Sequence, residues 1–476
     1  MRKSVDYERS RLLSLRFNQI PIGKWRYMII LALGLCMTVE GLDIVSMSIV
    51  LPHLKAVMHL APHEVGILAA ASTLGIAICA IPVGILADRF GRKTVLVWGF
   101  VICSLFTLMS GLAPTYQVLV LFRFLSGAGM SAIFIMPYTI VSELLPPEKR
   151  GSAIGMTDSL LGIGYLSAPL VGIILFRNFE PDFAWRLDLV LSGLPIVFIY
   201  FLIKYVPESP RWLISADKLD DAEKIIKHLE YRAGVVPGDA TKGLEDEGFA
   251  VFTPIPAKRS LASVFKIIFS RPLIFQWLSL GCGAFGAFAL FYVAIGYLPI
   301  LFINRGLTFS NSLVYTLVAT AFQIPGKLLG GFASNRIGRR LTFIYGVVLA
   351  TLCLAMFIKF VDPVSTLVFA TLFLFFIAGY VPPYKLWYAE TFPTTVRTTG
   401  QTMVEGFFGR FLGGVVWISI FPMISNYFDQ QNTLIFMMIM LAGTAIPAML
   451  FVPETNVRKA RDGAQAMRRS SKIEVP

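Results

Sequence analysis

Six charged residues stand within long apolar stretches of the chain, where an ionisable side chain is costly and is therefore paired or functional. They are Glu40, Asp43, Arg123, Lys327, Lys385 and Arg410. Glu40 and Asp43 are three residues apart, so a helix would place both carboxylates on one face. Two carboxylates so close in a medium of low dielectric constant resist full ionisation, which suits them to carrying a proton.

The three basic residues, Lys327, Lys385 and Arg410, all fall in the second half of the chain. Together they would attract a carboxylate, which a guanidinium can bind through two parallel hydrogen bonds. In the alternative, Lys327 neutralises Glu405 or Asp158 instead. Polar and aromatic residues close to these cations are further candidates for contact with a planar substrate, although aromatic residues at helical spacing also serve as packing. They are Gln323, Tyr292, Tyr384, Trp387 and Tyr388.

The stretches that carry these charges are membrane spans. Of the 476 residues, 56% are hydrophobic and 15% are charged, whereas a soluble domain carries about 25% charged residues. Apolar windows of roughly twenty residues, each long enough to cross a hydrocarbon core of ~30 Å, recur about twelve times. We therefore predict an all-α integral membrane protein with twelve transmembrane helices, rather than a soluble helical protein.

The chain repeats itself at a spacing of 247 residues (335 minus 88). The run Asp88-Arg89-Phe90-Gly91-Arg92 returns as Asn335-Arg336-Ile337-Gly338-Arg339. Downstream charges recur at the same or nearly the same spacing, which indicates two halves in parallel orientation. Charges present in both halves should serve a job common to both, and we expect them to form a cytoplasmic gate. The gate residues are Asp88, Arg89, Arg92, Glu143, Arg150, Glu208, Arg211, Arg336, Arg339, Glu390, Arg397 and Glu454.

The predicted organisation has five segments: a cytoplasmic N-terminal segment (1–26), a six-helix bundle (27–205), a cytoplasmic central loop (206–271), a second six-helix bundle (272–452) and a basic cytoplasmic tail (453–476). The central loop should contain a short amphipathic helix from Asp217 to Arg232. The run from Leu12 to Phe17 would either lie as a helix on anionic headgroups or form a solvated tail.

The net charge of +13 reflects topology rather than nucleic-acid binding. Most of the 42 Lys and Arg residues fall in segments on one side of the predicted spans. Basic residues concentrate on the cytoplasmic side, so both termini should be cytoplasmic. The five cysteines lie within predicted spans and indicate no disulfide framework; neither a metal nor a cofactor is expected. The charged start does not resemble a signal peptide, and a multi-pass protein of the plasma membrane, favouring a bacterial inner membrane, is expected.

These motifs resemble the major facilitator superfamily, and the resemblance covers nearly the whole chain. Glu143-Leu144-Leu145-Pro146 and Pro207-Glu208-Ser209-Pro210-Arg211 are similar to motifs of the branch with sugar porters and organic-ion transporters. Glu40-Gly41-Leu42-Asp43 is similar to the acidic first-helix motif of aromatic acid–proton symporters, a nicotinate-type group. The resemblance implies two bundles, a central site between them and alternating access. It also implies that Arg123 pairs with Asp43.

We therefore expect a secondary transporter that moves a small organic anion, an aromatic or heterocyclic carboxylate, by proton-coupled symport. Protonation of Asp43 would release Arg123; alternatively, the two form a permanent structural pair. The expected partners are the organic anion, protons and lipids, without nucleic acid, and the chain is expected to be a monomer. The alternatives are a polyspecific exporter of organic cations or drugs, a sugar or polyol–proton symporter, and a nutrient sensor with a transporter fold. No pattern of an enzyme is present.

Overall fold

The computed structural model describes residues 2–21, 23–145, 147–234, 266–271, 273–392 and 397–455. Within them, twelve helical segments are long and apolar enough to cross a membrane. Spans 1 to 6 are Lys24–Val57, Pro62–Phe90, Arg92–Gly111, Tyr116–Leu144, Ser152–Asn178 and Pro181–Tyr205. Spans 7 to 12 are Leu273–Ile303, Phe309–Ile337, Arg339–Lys359, Pro363–Tyr388, Gly400–Phe428 and Gln430–Phe451. The predicted fold class is confirmed.

The helices are longer than their apolar cores. Span 1 has 34 residues, whereas about 20 suffice to cross the hydrocarbon. A helix satisfies its backbone hydrogen bonds internally, as a lipid environment requires. Continuing it past the apolar core costs little, because side chains such as Lys24 and Lys55 at its ends can reach water. The first span therefore extends past its apolar run at both ends.

Three spans depart from a continuous α-helix. Span 6 contains a 3₁₀ segment, Leu194–Phe198, and span 8 is interrupted at Phe322, between Phe309–Ala321 and Gln323–Ile337. Span 11 contains a π-helical stretch, Met403–Val416. Stretches of this kind are rare and often mark functional sites. Glu405 and Arg410 both lie in it and are both buried.

The two halves of the chain contact each other near both ends of the spans. At one end, the backbone of Gly66 in span 2 lies so close to span 11 that an added Cβ would lie 2.0 Å from the carbonyl oxygen of Ser419. At the other end, a Cβ on Gly155 in span 5 would lie 3.2 Å from Gly331 in span 8. Small residues permit this close helix packing. The interior between the halves is therefore occluded.

One face of the protein carries helices that lie outside the spans, and two of them pack against each other. The helix of the central segment runs over Leu219–Ala233, close to the range predicted for it. The N-terminal helix, Arg2–Gln19, packs against it. Leu13 and Phe17 are buried, so this face of the N-terminal helix contacts protein. Neither the expected position on headgroups nor a solvated tail describes it.

Polar contacts hold the N-terminal helix in place. Arg9 donates to Asp220 and to Glu223, each at 2.7 Å, and Arg16 donates twice to the buried Glu230, at 2.9 and 2.6 Å. We call the surface formed by these two helices the linker face. Residues 235–265 of the predicted central loop and the tail beyond Thr455 lie outside the described residues.

Candidate functional site

Glu40 and Arg410, whose positions 247 residues away hold the uncharged Ala287 and Ile163, meet between the two halves. Span 1 brings Glu40 and span 11 brings Arg410, whose Nη2 atom donates to Glu40 Oε1 at 3.0 Å. Both side chains are at most 2% exposed. The Oε2 atom of Glu40 and the Nε and Nη1 atoms of Arg410 have no hydrogen-bond partner among the described residues. This ion pair thus joins the halves and retains unused bonding capacity.

A second group of charges surrounds Lys385 of span 10. Its Nζ atom lies 3.9 Å from Asp158 Oδ1 and 3.6 Å from Glu405 Oε1. Lys327 of span 8 lies 3.3 Å from Asp158 Oδ2. The alternative in which Lys327 neutralises Asp158 is therefore the arrangement in the structure. We call Asp158, Lys327, Lys385 and Glu405 the four-charge cluster.

Two tyrosines complete this cluster. Tyr138 accepts a hydrogen bond from Lys385 at 2.8 Å and donates one to Asp158. Tyr388 donates to Glu405. Tyr138 is also the counterpart of Lys385, 247 positions away. In a parallel repeat the halves are related by an axis along the membrane normal. A residue that touches its own counterpart must lie close to that axis, so Lys385 marks the centre of the molecule.

Asp43 and Arg123 form a third pair, which lies within the first half. The guanidinium donates to both carboxylate oxygens of Asp43, at 2.5 and 2.8 Å. Thr107 adds a third donor at 2.8 Å. The predicted pairing is present, and all three side chains are buried. Whether Asp43 releases Arg123 on protonation stays a prediction.

A cavity of about 20 Å³ lies among these charges, with room for about one water molecule. Aromatic rings form much of its wall. The Cζ atom of Arg410 lies 3.2 Å from the ring centre of Phe134, and Lys385 Nζ lies 4.1 Å from the same centre. The lining residues include Glu40, Phe134, Asp158, Tyr165, Phe288, Phe291, Tyr292, Lys327, Lys385 and Arg410. A planar anion has both rings and cations within reach once this space widens.

The other sequence candidates lie in different surroundings. Tyr292 lines the cavity. Tyr384 donates to the carbonyl of Leu280, and Trp387 donates to the carbonyl of Pro453 at 2.8 Å. These two pack inside the second half rather than against the cavity. Gln323 is buried at the break of span 8, and neither atom of its amide has a partner among the described residues.

Phe134, Tyr138 and Tyr165 contribute to the site but were not among the candidates. For Tyr138 a signal existed, because it is the counterpart of the unmatched Lys385. Phe134 and Tyr165 lie in apolar spans, and no feature of the sequence distinguishes them from other aromatic residues there. Asp158 and Glu405 entered the sequence analysis only as alternative partners of Lys327. The structure places both in the four-charge cluster.

The matched charges form a set of contacts on the linker-face side of each half. In the first half, Arg92 lies 2.9 Å from Asp88 and 3.3 Å from Glu143. Glu208 accepts the backbone N–H groups of Arg92 and Lys93, at 2.9 and 3.2 Å. We call Asp88, Arg92, Glu143 and Glu208 the first latch. Every contact in it joins residues of one half.

The second half repeats the arrangement. Arg339 lies 3.3 Å from Glu390, and Glu454 accepts the backbone N–H groups of Arg339 and Arg340, at 2.9 and 3.0 Å. Asn335 stands where the first half has Asp88 and accepts from Arg339 at 3.5 Å. We call Asn335, Arg339, Glu390 and Glu454 the second latch. Its contacts, too, stay within one half.

The remaining gate candidates lie in surroundings that differ from those of the latch residues. Arg89 lies over the ring of Phe90, 5.2 Å from its centre, and Arg336 is exposed. Arg211 donates to Asn18 of the N-terminal helix at 3.4 Å. The side chains of Arg150 and Arg397 lie outside the described part of the structure.

Comparison with known proteins gives concordant results. The sequence model of the Major Facilitator Superfamily matches residues 33–416 of this chain. The niacin transporter NiaP of Acinetobacter baylyi is 29% identical over 440 residues, covering 91% of this chain and 96% of the relative. The 4-hydroxybenzoate transporter PcaK of Pseudomonas putida is 28% identical over 330 residues, covering 67% of this chain and 68% of the relative. The proton:xylose symporter XylE has the same fold, with a TM-score of 0.71 at 19% identity, covering 90% of this chain and 96% of XylE.

Proposed function

The chain belongs to the Major Facilitator Superfamily, and on that premise we propose that it imports a small organic anion by proton-coupled symport. The cargo we propose is an aromatic or heterocyclic carboxylate. Family membership makes the chain a transporter and not an enzyme, as predicted. The twelve spans and the bacterial relatives confirm the expected multi-pass localisation in a bacterial inner membrane.

The observation that carries the proposal is the state of Arg410. Its guanidinium is buried, it lines the central cavity, and its Nε and Nη1 atoms have no partner among the described residues. A buried donor without an acceptor is costly. A carboxylate is the ligand that a guanidinium fork binds best, through two parallel hydrogen bonds. Each edge of the guanidinium pairs Nη2 with either Nε or Nη1, so a substrate carboxylate that binds an unused donor would also share Nη2 with Glu40 or take it over.

The two lysines are less available than Arg410. Lys327 and Lys385 already contact the carboxylates of Asp158 and Glu405, so a substrate would have to displace an existing partner. We propose that they orient the substrate through its far end, while Arg410 binds its carboxylate. The rings of Phe134 and Tyr292 next to Arg410 would face a planar substrate.

Proton coupling follows from the competition for Arg410. Glu40 and a substrate carboxylate are both anions that seek the same guanidinium. When Glu40 binds a proton, its hold on Arg410 weakens and the substrate can replace it. Asp43 and Arg123, in the same half as Glu40, remain a second candidate for the coupling step. The relatives include a niacin transporter and a 4-hydroxybenzoate transporter, which supports a carboxylate on an aromatic ring as cargo.

We also propose the membrane orientation and the surroundings of the transporter. Both termini and the linker face would be cytoplasmic, because the basic residues concentrate there. The chain would act as a monomer in contact with lipids. The division at residues 26, 205, 271 and 452 remains our proposal for its five segments.

Uptake by proteoliposomes tests the proposed function. Labelled nicotinate, benzoate and a neutral hexose are supplied with and without an inward proton gradient. Carboxylate uptake should rise with the gradient and be lost in Arg410→Ala. The matched control is Arg232→Ala, which removes an exposed arginine outside the spans. Transport of the hexose with the carboxylates ignored would overturn the assignment.

A further inference from the structure

The ionisable side chains in the interior between the halves balance in charge. Among the described residues, four acids pair with four bases at the cavity or next to it. They are Glu40 with Arg410, Asp43 with Arg123, and Asp158 and Glu405 with Lys327 and Lys385. Asp188 of span 6 is also buried but takes part in no ion pair among the described residues. An isolated buried carboxyl neutralises itself by binding a proton, so it leaves the balance unchanged.

From this balance we infer that the central site takes one monocarboxylate together with one proton, in an electroneutral step, and that Glu40 is the group that binds the proton. The inference rests on the proposed function and deepens it. It assigns the charge of the cargo, the number of protons and the acceptor.

The physical reason is the cost of an uncompensated charge. The empty interior is neutral, so an entering monocarboxylate leaves it with one excess negative charge. An unpaired ion in a dry interior costs several kcal/mol even after relaxation. A single proton removes that excess. A dicarboxylate would require two protons, so the site favours a monoanion.

Glu40 is the acid whose balance the substrate disturbs. It lines the cavity, holds Arg410 by a single hydrogen bond, and has a carboxylate oxygen without a partner among the described residues. Among the described residues, Arg410 is the cation that forms an ion pair with Glu40, and a substrate on an unused donor of Arg410 would share it. The charged and titratable groups that face Glu40 come from several surrounding spans, and Asp43 lies one turn along its own helix. They are Arg410, Lys327, Lys385, Asp158, Tyr138, Tyr165, Tyr292 and Cys103.

The arrangement of Asp43 is different. Arg123 binds both of its oxygens, and Thr107 adds a third hydrogen bond. Neither Asp43 nor Arg123 lines the cavity described above. Both belong to the first half, so the pair moves as one unit when the halves rock. A substrate in the cavity leaves the balance of Asp43 intact.

An electrical measurement on the wild-type chain tests the inference. Proteoliposomes take up labelled nicotinate while valinomycin and potassium set the membrane potential. A gradient of one pH unit, alkaline inside, should produce about tenfold accumulation. A potential of either sign should change that value less than about twofold, as an electroneutral step requires. Protein-free vesicles measure leakage of the uncharged acid.

The possible outcomes separate the inference from the proposed function. Stimulation by an inside-negative potential would mean more than one proton per anion, and stimulation by an inside-positive potential would mean an unaccompanied anion. Either result overturns the inference but leaves carboxylate transport standing. No uptake of nicotinate or benzoate beyond that of the protein-free vesicles would overturn the proposed function itself.

The variant Glu40→Gln tests the assignment of the acceptor. It should still exchange external for internal nicotinate, but a pH gradient should no longer drive accumulation, and an inside-positive potential should. The comparison variant Asp43→Asn alters the second candidate for the coupling step. If Asp43→Asn loses the dependence on the pH gradient while Glu40→Gln keeps it, the acceptor is Asp43 and the assignment to Glu40 is overturned. If neither variant folds, the measurement of potential dependence on the wild-type chain still tests the electroneutral step.

Discussion

The two latches have the same arrangement in both halves of the repeat, whereas the central site differs between the halves. In each latch, a glutamate that follows the sixth span of its half accepts two backbone N–H groups at the start of the third span of that half. These glutamates are Glu208 and Glu454, and their hydrogen bonds have nearly equal lengths. In the central site, Lys385 faces its counterpart Tyr138, and Glu40 pairs with an arginine from the other half. The symmetric contacts of the latches stay within a half, whereas the contacts Glu40–Arg410 and Lys385–Tyr138 cross between the halves.

This difference has a mechanical meaning. Contacts within one half survive when the halves rock as rigid bodies, so the latches can stiffen each bundle without resisting transport. Contacts between halves must rearrange, or lie on the axis, where displacement is smallest. In the proposed function, the contact between Glu40 and Arg410 is the one that a substrate replaces. Because Lys385 lies next to the axis, it can stay close to Asp158 and Glu405 when the two halves change their relative orientation.

The largest effect is expected in the four-charge cluster. Lys327→Met removes the cation nearest to Asp158, and breaking a buried pair costs about 3–5 kcal/mol. The thermal unfolding midpoint in detergent should fall clearly. The double variant Lys327→Met/Asp158→Asn removes both charges and should recover more than half of the loss. A double variant no better than the single one would show that the cluster is not stabilised by charge balance.

The latches predict a smaller and symmetric effect. Glu208→Gln and Glu454→Gln each weaken two charge-assisted hydrogen bonds at the start of a helix, where a negative charge contributes up to ~2 kcal/mol. Because each carboxylate accepts the corresponding two backbone N–H groups at similar distances, the free energy of unfolding should fall by the same amount in both variants, within about 0.5 kcal/mol. A large difference between the two variants would break the equivalence of the latches.

The docked N-terminal helix should matter to local order more than to transport. Arg16→Ala leaves the buried Glu230 without its bidentate partner, so residues 8–20 should lose protection from hydrogen exchange. Uptake should change less than about twofold, since these contacts stay within one half and on the linker face. Arg11→Ala, an exposed arginine of the same helix, is the control and should retain protection.

The pH dependence of this docking is set by Glu223. The hydrogen bond from Arg9 lowers the pKa of the Glu223 carboxyl from 4.5 to about 2. A lowered pKa in the folded state contributes stability above pH 4.5, and that contribution is lost as the pH falls towards 2. Protection of the N-terminal helix should therefore be equal at pH 7 and pH 5. A loss of protection at pH 5 would contradict this pairing.

Much of this architecture follows from the sequence, because it depends on long-range regularities. Twelve apolar runs and a constant spacing are sufficient to predict twelve spans in two halves. Sorting charges by the repeat separated Glu40 and Arg410 from Glu208 and Glu454, although it could not reveal that the first two touch. That contact depends on how closely the halves approach, which no local pattern encodes.

Other features had no sequence signal that would distinguish the alternatives. An apolar stripe through Leu13 and Phe17 covers headgroups and protein equally well, so composition could not choose between them. The π-helical stretch that carries Glu405 and Arg410 forms within an apolar sequence that would also fit an α-helix. The contact between Lys385 and Tyr138 requires knowing which positions lie near the axis.

The smallest expected effect concerns the one mismatch between the latches. Asp88 forms an exposed ion pair with Arg92 at 2.9 Å, while Asn335 offers Arg339 only a neutral amide at 3.5 Å. An exposed pair contributes about 0–1 kcal/mol, so Asp88→Asn should change the uptake rate by at most a few-fold. The exchange variant Asp88→Asn/Asn335→Asp moves the carboxylate from the first latch to the second. If the latches are mechanically equivalent, it should transport at the wild-type rate; if it matches Asp88→Asn instead, the first latch has a role that the second cannot replace, and the symmetry of the scaffold ends at this pair.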